Sequence, residues 1–151
     1  YMMPKGKRID LEPLRGAPLE SLTAHYTSID DISPLEGMKL NTLQISSTKV
    51  SDISVIKGMP LSTLYLEQLA IDDISALEGM PLKSLGLWGS DKISSLNVLK
   101  TCPDLEKLSV PKSCKDLEPL KSLTKLKILT DSTPLYRTKM TPDEFWHQHQ
   151  K

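Results

Sequence analysis

One short sequence pattern returns at a regular interval and limits the fold more than any other feature of the chain. Leucines that open the pattern stand at Leu40, Leu61 and Leu82, and each is followed by apolar residues three and five positions later. A unit this short cannot bury its apolar face alone, so successive units must stack against one another. The spacing therefore predicts an elongated array of similar coils.

Two periodicities are present within one unit. Leu43 and Ile45 alternate with polar residues, which is typical of a short strand with one buried face. Val50, Ile53 and Ile56 then recur every third residue, which indicates a tight return segment of 3₁₀ type. The pattern L-x-x-L-x-L with a period of roughly 20–29 residues is typical of the leucine-rich repeat, and the interval between the leading leucines lies in this range.

We therefore predict an α/β fold, a right-handed leucine-rich-repeat solenoid. Short parallel strands line its concave face, and turns with short 3₁₀ or α segments line its convex face. Ser33, Ser54 and Ser75 are expected to cap the return segments with their hydroxyl groups. One irregularity stands out, because the next leading leucine after Leu82 is Leu105, which makes this step longer than the ones before it.

The repeat sequences also resemble those of a known group of proteins. Phrases such as Val50-Ser-Asp-Ile-Ser54 and Lys57-Gly-Met-Pro-Leu61 are similar to the leucine-rich repeats of certain environmental bacteria. Such arrays stand alone or are joined to serine/threonine protein kinases. The resemblance covers roughly residues 9–130 and implies protein recognition through the concave face. It supplies no catalytic residues, and the sequence contains no kinase motif.

We predict three regions along the chain. Residues 1–8 form a lead-in segment, residues 9–130 form the repeat array, and residues 131–151 form a C-terminal extension with a capping helix. The chain opens on Tyr1 without a start methionine, so we expect it to be one region of a larger bacterial protein.

The C-terminal extension contains a clear helix start. Thr141 suits the N-cap, Pro142 suits the first helical position, and Glu144 completes a capping box. We expect Phe145 or Trp146 to cover the open core of the last repeat. A docking helix for another domain is the alternative.

Composition argues against several classes of function. Lysine plus arginine equals aspartate plus glutamate, 19 against 19, so the chain offers no general basic surface for nucleic acid. No apolar run reaches the ~18 residues of a membrane span, so we expect no membrane insertion. We further expect a monomer, no cofactor and no enzymatic activity.

The residues that could carry chemistry fit structural roles better. Cys102 and Cys114 fall on core positions of the repeat, so we interpret them as small apolar residues and not as metal ligands or a redox pair. His147 and His149 are two apart on a helix and therefore point to different sides. The pairs Asp30-Asp31 and Asp72-Asp73 recur in register with the repeat, which favours a role in capping the return segment or shaping the turn.

The concave face is the one surface with functional promise. Outward-facing positions of the strands carry mostly small hydroxyl residues, which predicts a flat, hydrated sheet. Tyr65 and Trp88 are exceptions, and because they lie on adjacent repeats they should form one exposed aromatic patch. Gly86 beside them would leave a shallow recess. We predict a partner-binding site at Gln44, Tyr65, Glu67, Gly86 and Trp88. The alternative is that Trp88 only fills the irregular fourth repeat.

The sequence thus favours a non-catalytic module that binds a protein through its concave surface. It does not identify the partner. Two other hypotheses remain open: a structural array that spaces or presents another domain, and a surface that binds carbohydrate or another ligand through the aromatic pair.

Overall fold

The structure is a computed structural model and describes residues 8–150. Six strands of three residues each form one parallel sheet, in the order in which they occur along the chain. The strands are β1 (Ser21–Thr23), β2 (Thr42–Gln44), β3 (Thr63–Tyr65), β4 (Ser84–Gly86), β5 (Lys107–Ser109) and β6 (Ile128–Thr130). The predicted solenoid of parallel strands is confirmed. The predicted lead-in segment lies, except for its last residue, outside the described residues.

The strand register follows the leucine spacing. The central strand residues that pair in one row are Leu22, Leu43, Leu64, Leu85, Leu108 and Leu129. All but the first of these leucines are completely buried. The return segment within the longer step between the fourth and fifth leucines has five residues, Asn97–Thr101, where the three preceding ones have three.

Each return segment is a short 3₁₀ helix on the convex side. Their bounds are Glu12–Leu14, Ser33–Leu35, Ser54–Ile56, Ser75–Leu77, Asn97–Thr101 and Glu118–Ser122. A glycine with positive φ follows the second, third and fourth of them, at +75° for Gly37, +77° for Gly58 and +67° for Gly79. Their left-handed backbone turns the chain back toward the next strand.

The expected serine caps are wrong. Ser33, Ser54 and Ser75 are the first helical residues, and their backbone N–H groups donate to the aspartate two positions earlier. The distance from N to Oδ1 is 2.8 Å at Asp31, Asp52 and Asp73. Each serine is itself the first helical residue, so the acceptor for its N–H group comes from the residue two positions earlier, which is an aspartate. The structural role predicted for the paired aspartates thus belongs to the second member of each pair.

Both cysteines are part of the core, as their repeat positions predict. Cys102 and Cys114 are buried and free, and their sulfur atoms lie 3.3 Å and 3.2 Å from the carbonyl oxygens of Leu77 and Ile93. Burial raises the pKa of both thiols. A protonated, buried thiol is a poor nucleophile and a poor metal ligand.

The C-terminal helix α1 (Pro142–Gln148) closes the last repeat. Thr141 and Glu144 form the predicted capping box, and Phe145 is completely buried in the same core as the repeat leucines. Before α1, the carbonyl of Met140 accepts a hydrogen bond of 3.0 Å from the N–H of Leu129. The free edge of β6 is therefore covered, which removes a site for unwanted strand pairing.

We predict that Phe145→Ala lowers the free energy of unfolding by about 3–5 kcal/mol, because it leaves a cavity at the end of the core. Urea unfolding followed by circular dichroism would measure this. The matched control is His147→Ala, an exposed residue of the same helix, which should change stability by less than about 0.5 kcal/mol. Equal stability of both variants would show that α1 does not close the core.

We also predict that the three capping aspartates make the fold sensitive to acid. The hydrogen bonds from Ser33, Ser54 and Ser75 lower the pKa of Asp31, Asp52 and Asp73 below the ordinary value of 3.8. Their contribution to stability is therefore present above that value and is lost as the pH falls through the lowered pKa values.

The measurement is the melting temperature of the protein and of an Asp31→Asn, Asp52→Asn, Asp73→Asn variant between pH 7 and pH 2. Asparagine keeps an acceptor oxygen but does not titrate, so the variant should lose less stability on acidification. An unchanged pH dependence would contradict the role of these carboxylates.

Candidate functional site

The segment after β6 lies across the concave face. We call residues 131–137 the strap. It contains a short 3₁₀ helix, Leu135–Arg137, whose first residue is buried and whose helix contacts β5. The strap reaches the opposite end of the array, where the hydroxyl oxygens of Tyr136 and Tyr26 lie 3.5 Å apart.

Glu67 holds the strap against the sheet. Its Oε1 accepts a hydrogen bond of 2.7 Å from the N–H of Leu135 and one of 2.9 Å from Oγ of Ser109. The side chain is only 3% exposed. Among the residues that the structure describes, no basic side chain forms an ion pair with it. Glu67 is therefore a buried acid that is satisfied by neutral donors alone.

Gly86 makes room for this acid. A Cβ atom at residue 86 would lie 2.8 Å from Oε1 of Glu67 and 3.0 Å from its Cγ. A side chain here would therefore displace Glu67 or be displaced by it. The predicted recess at Gly86 exists in the backbone, but the Glu67 side chain fills it.

The strap changes the character of half the concave face. Ser109 and Thr130, on the two strands nearest the C terminus, are completely buried, and Ser84 is 9% exposed. The expectation of a hydrated sheet is wrong for these strands, because the strap replaces water above them. Ser21 and Thr23 on β1 are exposed, so the other half of the face stays open.

A second contact holds the beginning of the strap. Asp131 Oδ2 lies 3.0 Å from Nε2 of His149, and Nδ1 of the same ring lies 2.8 Å from the carbonyl oxygen of Phe145. The hydrogen bond to Phe145, followed by the one to Asp131, raises the pKa of His149. The imidazole also stacks on the Phe145 ring, with the centroids 4.1 Å apart. The strap is thus tied to α1 at one end and to Glu67 in the middle.

A cleft of about 670 Å³ opens between the strap and the uncovered part of the sheet. From the sheet side it is lined by His25, Gln44, Tyr65, Glu67 and Trp88, and from the strap by Pro134, Tyr136 and Arg137. This volume is typical of sites for small ligands or for side chains of a partner. The lining combines four large aromatic side chains with several polar and charged residues.

The turns that leave the strands complete the rim of the cleft. Tyr26, Ser47 and Gln68 occupy equivalent positions of three repeats and share a left-handed backbone, with φ of 56°, 57° and 56°. This conformation directs Tyr26 toward the strap. Tyr26 is 72% exposed and Tyr136 is 58% exposed, so the rim presents two tyrosines to solvent. The hydrogen bond to Tyr136 raises the pKa of Tyr26.

His25 carries an unused hydrogen-bonding atom in this cleft. Its Nε2 lies 2.9 Å from Oε1 of Gln44. The tautomer of the ring decides which atom of this pair donates. Nδ1 is buried and has no hydrogen-bond partner among residues 8–150.

The structure places all five predicted site residues in one region. Gln44, Tyr65, Glu67 and Trp88 line the cleft, and Gly86 lies under Glu67. Gln44, Tyr65 and Trp88 are half-buried, whereas Glu67 and Gly86 are buried. Their role in binding a partner stays a prediction.

Sequence reasoning missed the strap residues, above all Tyr136 and Arg137. No repeat spacing extends past Asp131, so no pattern indicated where this segment would lie. The available signal was Glu67 itself, because an acid beside a glycine on an otherwise hydroxyl-rich face needs a donor from another part of the chain.

Two other features bear on the class of function. Residues 8–150 contain no group of three or more histidine, cysteine, aspartate or glutamate side chains that could hold a metal ion. Within the same residues, no helix has the length and apolar character required to cross a bilayer.

Comparison with known proteins identifies the architecture of the repeat. The solved structure of an internalin (inlF) from Listeria monocytogenes is 37% identical, and the match covers 68% of this chain and 31% of the other, with a TM-score of 0.65. The chain is a leucine-rich-repeat protein. It spans about a third of the length of this internalin, so the match supports the repeat architecture and not the activity of a whole protein.

Other comparisons add little to this match. An internalin C2 (inlC2) from the same species is 21% identical, with 80% of this chain and 73% of the other covered and a TM-score of 0.46. No protein-family model matches the sequence, and no curated protein matches it.

We predict that Glu67→Ala lowers the free energy of unfolding by about 2–4 kcal/mol, because the N–H of Leu135 and the hydroxyl of Ser109 lose their acceptor. Glu67→Gln keeps an acceptor oxygen and should cost about 1 kcal/mol. Urea unfolding gives the stabilities, and amide hydrogen exchange at Leu135 reports the strap.

Gly86→Ala is the matched variant that keeps the acid but crowds its position. It should accelerate exchange at Leu135 as Glu67→Ala does. Slow amide exchange at Leu135 in both Glu67→Ala and Gly86→Ala would show that Glu67 does not hold the strap.

Proposed function

We propose that this leucine-rich-repeat protein is a non-catalytic module that binds another protein through the open part of its concave face and the adjoining cleft. Solenoids of this kind present extended concave surfaces that suit protein recognition. The observation that carries the proposal is the group of four aromatic side chains around the cleft, Tyr26, Tyr65, Trp88 and Tyr136. Partly exposed tyrosine and tryptophan are the residue types that most often anchor protein interfaces.

Three features of the cleft support this function. The strap and the sheet form walls that are anchored by hydrogen bonds, so a partner would meet a largely preformed surface. Preformed surfaces lose less conformational entropy on binding. The half-buried side chains of Gln44 and His25 offer polar contacts, and the remaining hydroxyl-rich strands β1 and β2 extend the surface away from the cleft.

The other features of the proposal come from the sequence. We propose that the chain acts as a monomer and that it belongs to a larger bacterial protein. The resemblance to arrays joined to serine/threonine protein kinases makes such a kinase one candidate for the rest of that protein.

The test is a Tyr65→Ala, Trp88→Ala variant compared with a convex-face control, Lys57→Ala, Glu78→Ala. None of the four residues belongs to the buried rows of leucines in the core, and Lys57 and Glu78 are exposed. Proteins captured by the immobilised wild type would be identified by mass spectrometry and purified, and their dissociation constants would be measured for each variant.

We expect the concave pair to weaken binding at least about 30-fold, because truncation of an anchoring aromatic residue costs about 2 kcal/mol or more. The convex pair should bind as the wild type does. Equal affinity of both folded variants, or no specific capture, would contradict the proposal and favour a spacer array.

Carbohydrate binding is a second candidate, favoured by the aromatic walls of the cleft. A glycan array with the wild type and the Tyr65→Ala, Trp88→Ala variant would detect it. Specific glycan capture that is lost in the variant would favour this function over protein binding.

A further inference from the structure

We propose that the cleft is a receptor for an arginine side chain of the protein partner. This inference rests on the proposed protein-binding function and names the group that the cleft would recognise. The carrying juxtaposition is a buried acid, Glu67, which has no basic partner among residues 8–150 and lies beside the aromatic walls of the cleft.

The charge of the cleft is the first step. Glu67 lines the cleft but is 3% exposed, and its Oε1 is satisfied only by an N–H and a hydroxyl group of the described residues. A buried carboxylate loses most of its hydration, and a cation placed nearby compensates for that loss more effectively than neutral donors do. The ligand that best complements this floor is therefore positively charged.

The walls of the cleft are the second step. Tyr65 and Trp88 project from adjacent repeats, and Tyr26 and Tyr136 stand at the rim. Aromatic faces attract cations, and a planar guanidinium group stacks on them better than a compact ammonium group does. The protein itself contains an example, because the guanidinium carbon of Arg137 lies 5.4 Å from the centroid of the Tyr136 ring.

The donors of the ligand are the third step. A guanidinium group carries five N–H donors and no acceptor. The Glu67 carboxylate, which can accept hydrogen bonds, lies in the lining of the cleft. Arginine can donate to this carboxylate while it stacks on a ring, whereas an apolar or acidic side chain cannot donate to it in this way.

The positive charge of Arg137 at the rim of the cleft would repel a cationic ligand. Removal of this charge therefore gives the proposal a second, independent test. Its side chain is exposed, so solvent screens its charge more than that of the buried Glu67. The attraction of the ligand to Glu67 should therefore outweigh its repulsion by Arg137, and removal of the Arg137 charge should strengthen binding.

The probes are N-acetyl-argininamide and its neutral isostere N-acetyl-citrullinamide, titrated into the full chain. Chemical shifts of the Trp88 indole N–H and the Gln44 side-chain amide report binding. We expect saturable binding of the arginine probe with a dissociation constant on the order of 1 mM, as suits a ligand of this size. The citrulline probe should bind at least about tenfold more weakly, because it loses the cation–π and charge contributions.

Two variants separate the sources of affinity. Glu67→Gln retains an acceptor for the strap but removes the charge, and it should weaken binding of the arginine probe about tenfold. Arg137→Gln changes an exposed residue and should strengthen binding about threefold. The second variant keeps the test decisive even if the first perturbs the fold.

Several outcomes would overturn the inference: equal binding of the arginine and citrulline probes, tighter binding of N-acetyl-tyrosinamide, or no saturable shift up to about 50 mM. A partner whose capture needs Tyr65 and Trp88 but is not displaced by the arginine probe would sink the arginine assignment and leave the protein-binding function. Saturable binding of the arginine probe without capture of any protein partner would contradict the protein-binding function and leave only the recognition of arginine by the cleft.

Discussion

The parallel register of the six strands is the constraint on which both the core and the cleft depend. Each strand has only three residues, so no strand could persist outside the ladder of hydrogen bonds to its neighbours. Once the ladder forms, equivalent residues of successive repeats fall into rows. One row buries the leucines, and an adjacent outward row places Tyr65 beside Gly86 and Gly86 beside Ser109. Glu67 reaches Ser109 past Gly86 because these rows are aligned.

The strap makes the two halves of the concave face unlike. Over β5 and β6 it buries hydroxyl groups, and this burial is tolerated because the hydroxyls find partners, as Ser109 does with Glu67. Over β1 and β2 the face remains open to solvent. The cleft lies at the boundary, where a partner could contact both the sheet and the strap. The surface that a partner would meet is therefore shorter than a sheet of six uncovered strands, but it contains a cleft that such a sheet would lack.

The repeat itself could be predicted from the sequence because its information is local and repeated. The leucine spacing defines the register, including the longer step from Leu82 to Leu105, and the Thr141 capping box defines the start of α1. The caps of the second, third and fourth return segments belong to aspartate and not to serine, two residue types that recur at neighbouring positions. A small offset along the chain decides which group accepts the hydrogen bond, and spacing alone does not reveal it.

The strap could not be predicted, because its contacts are distant and occur once. Leu135 and Glu67 are 68 residues apart, and Tyr136 and Tyr26 are 110 apart. No periodicity connects residues that meet only through a single excursion of the chain. The prediction of an aromatic patch brings Tyr65 and Trp88 together for a sound reason, but it could not show that two further tyrosines from the rim would join them.

Two departures from the regular repeat sequence meet at this one cleft. At the position after each strand where other repeats have His25, Ser46 or Trp88, the third repeat has an acid, and the fourth strand ends in a glycine under that acid. Elsewhere the array follows the local rules of packing and capping closely. A buried acid without a basic partner among residues 8–150 is uncommon, and natural sequences break local rules of this kind chiefly at functional sites. The position of this acid in the lining of the cleft is a physical reason to look for the ligand there and not along the open strands.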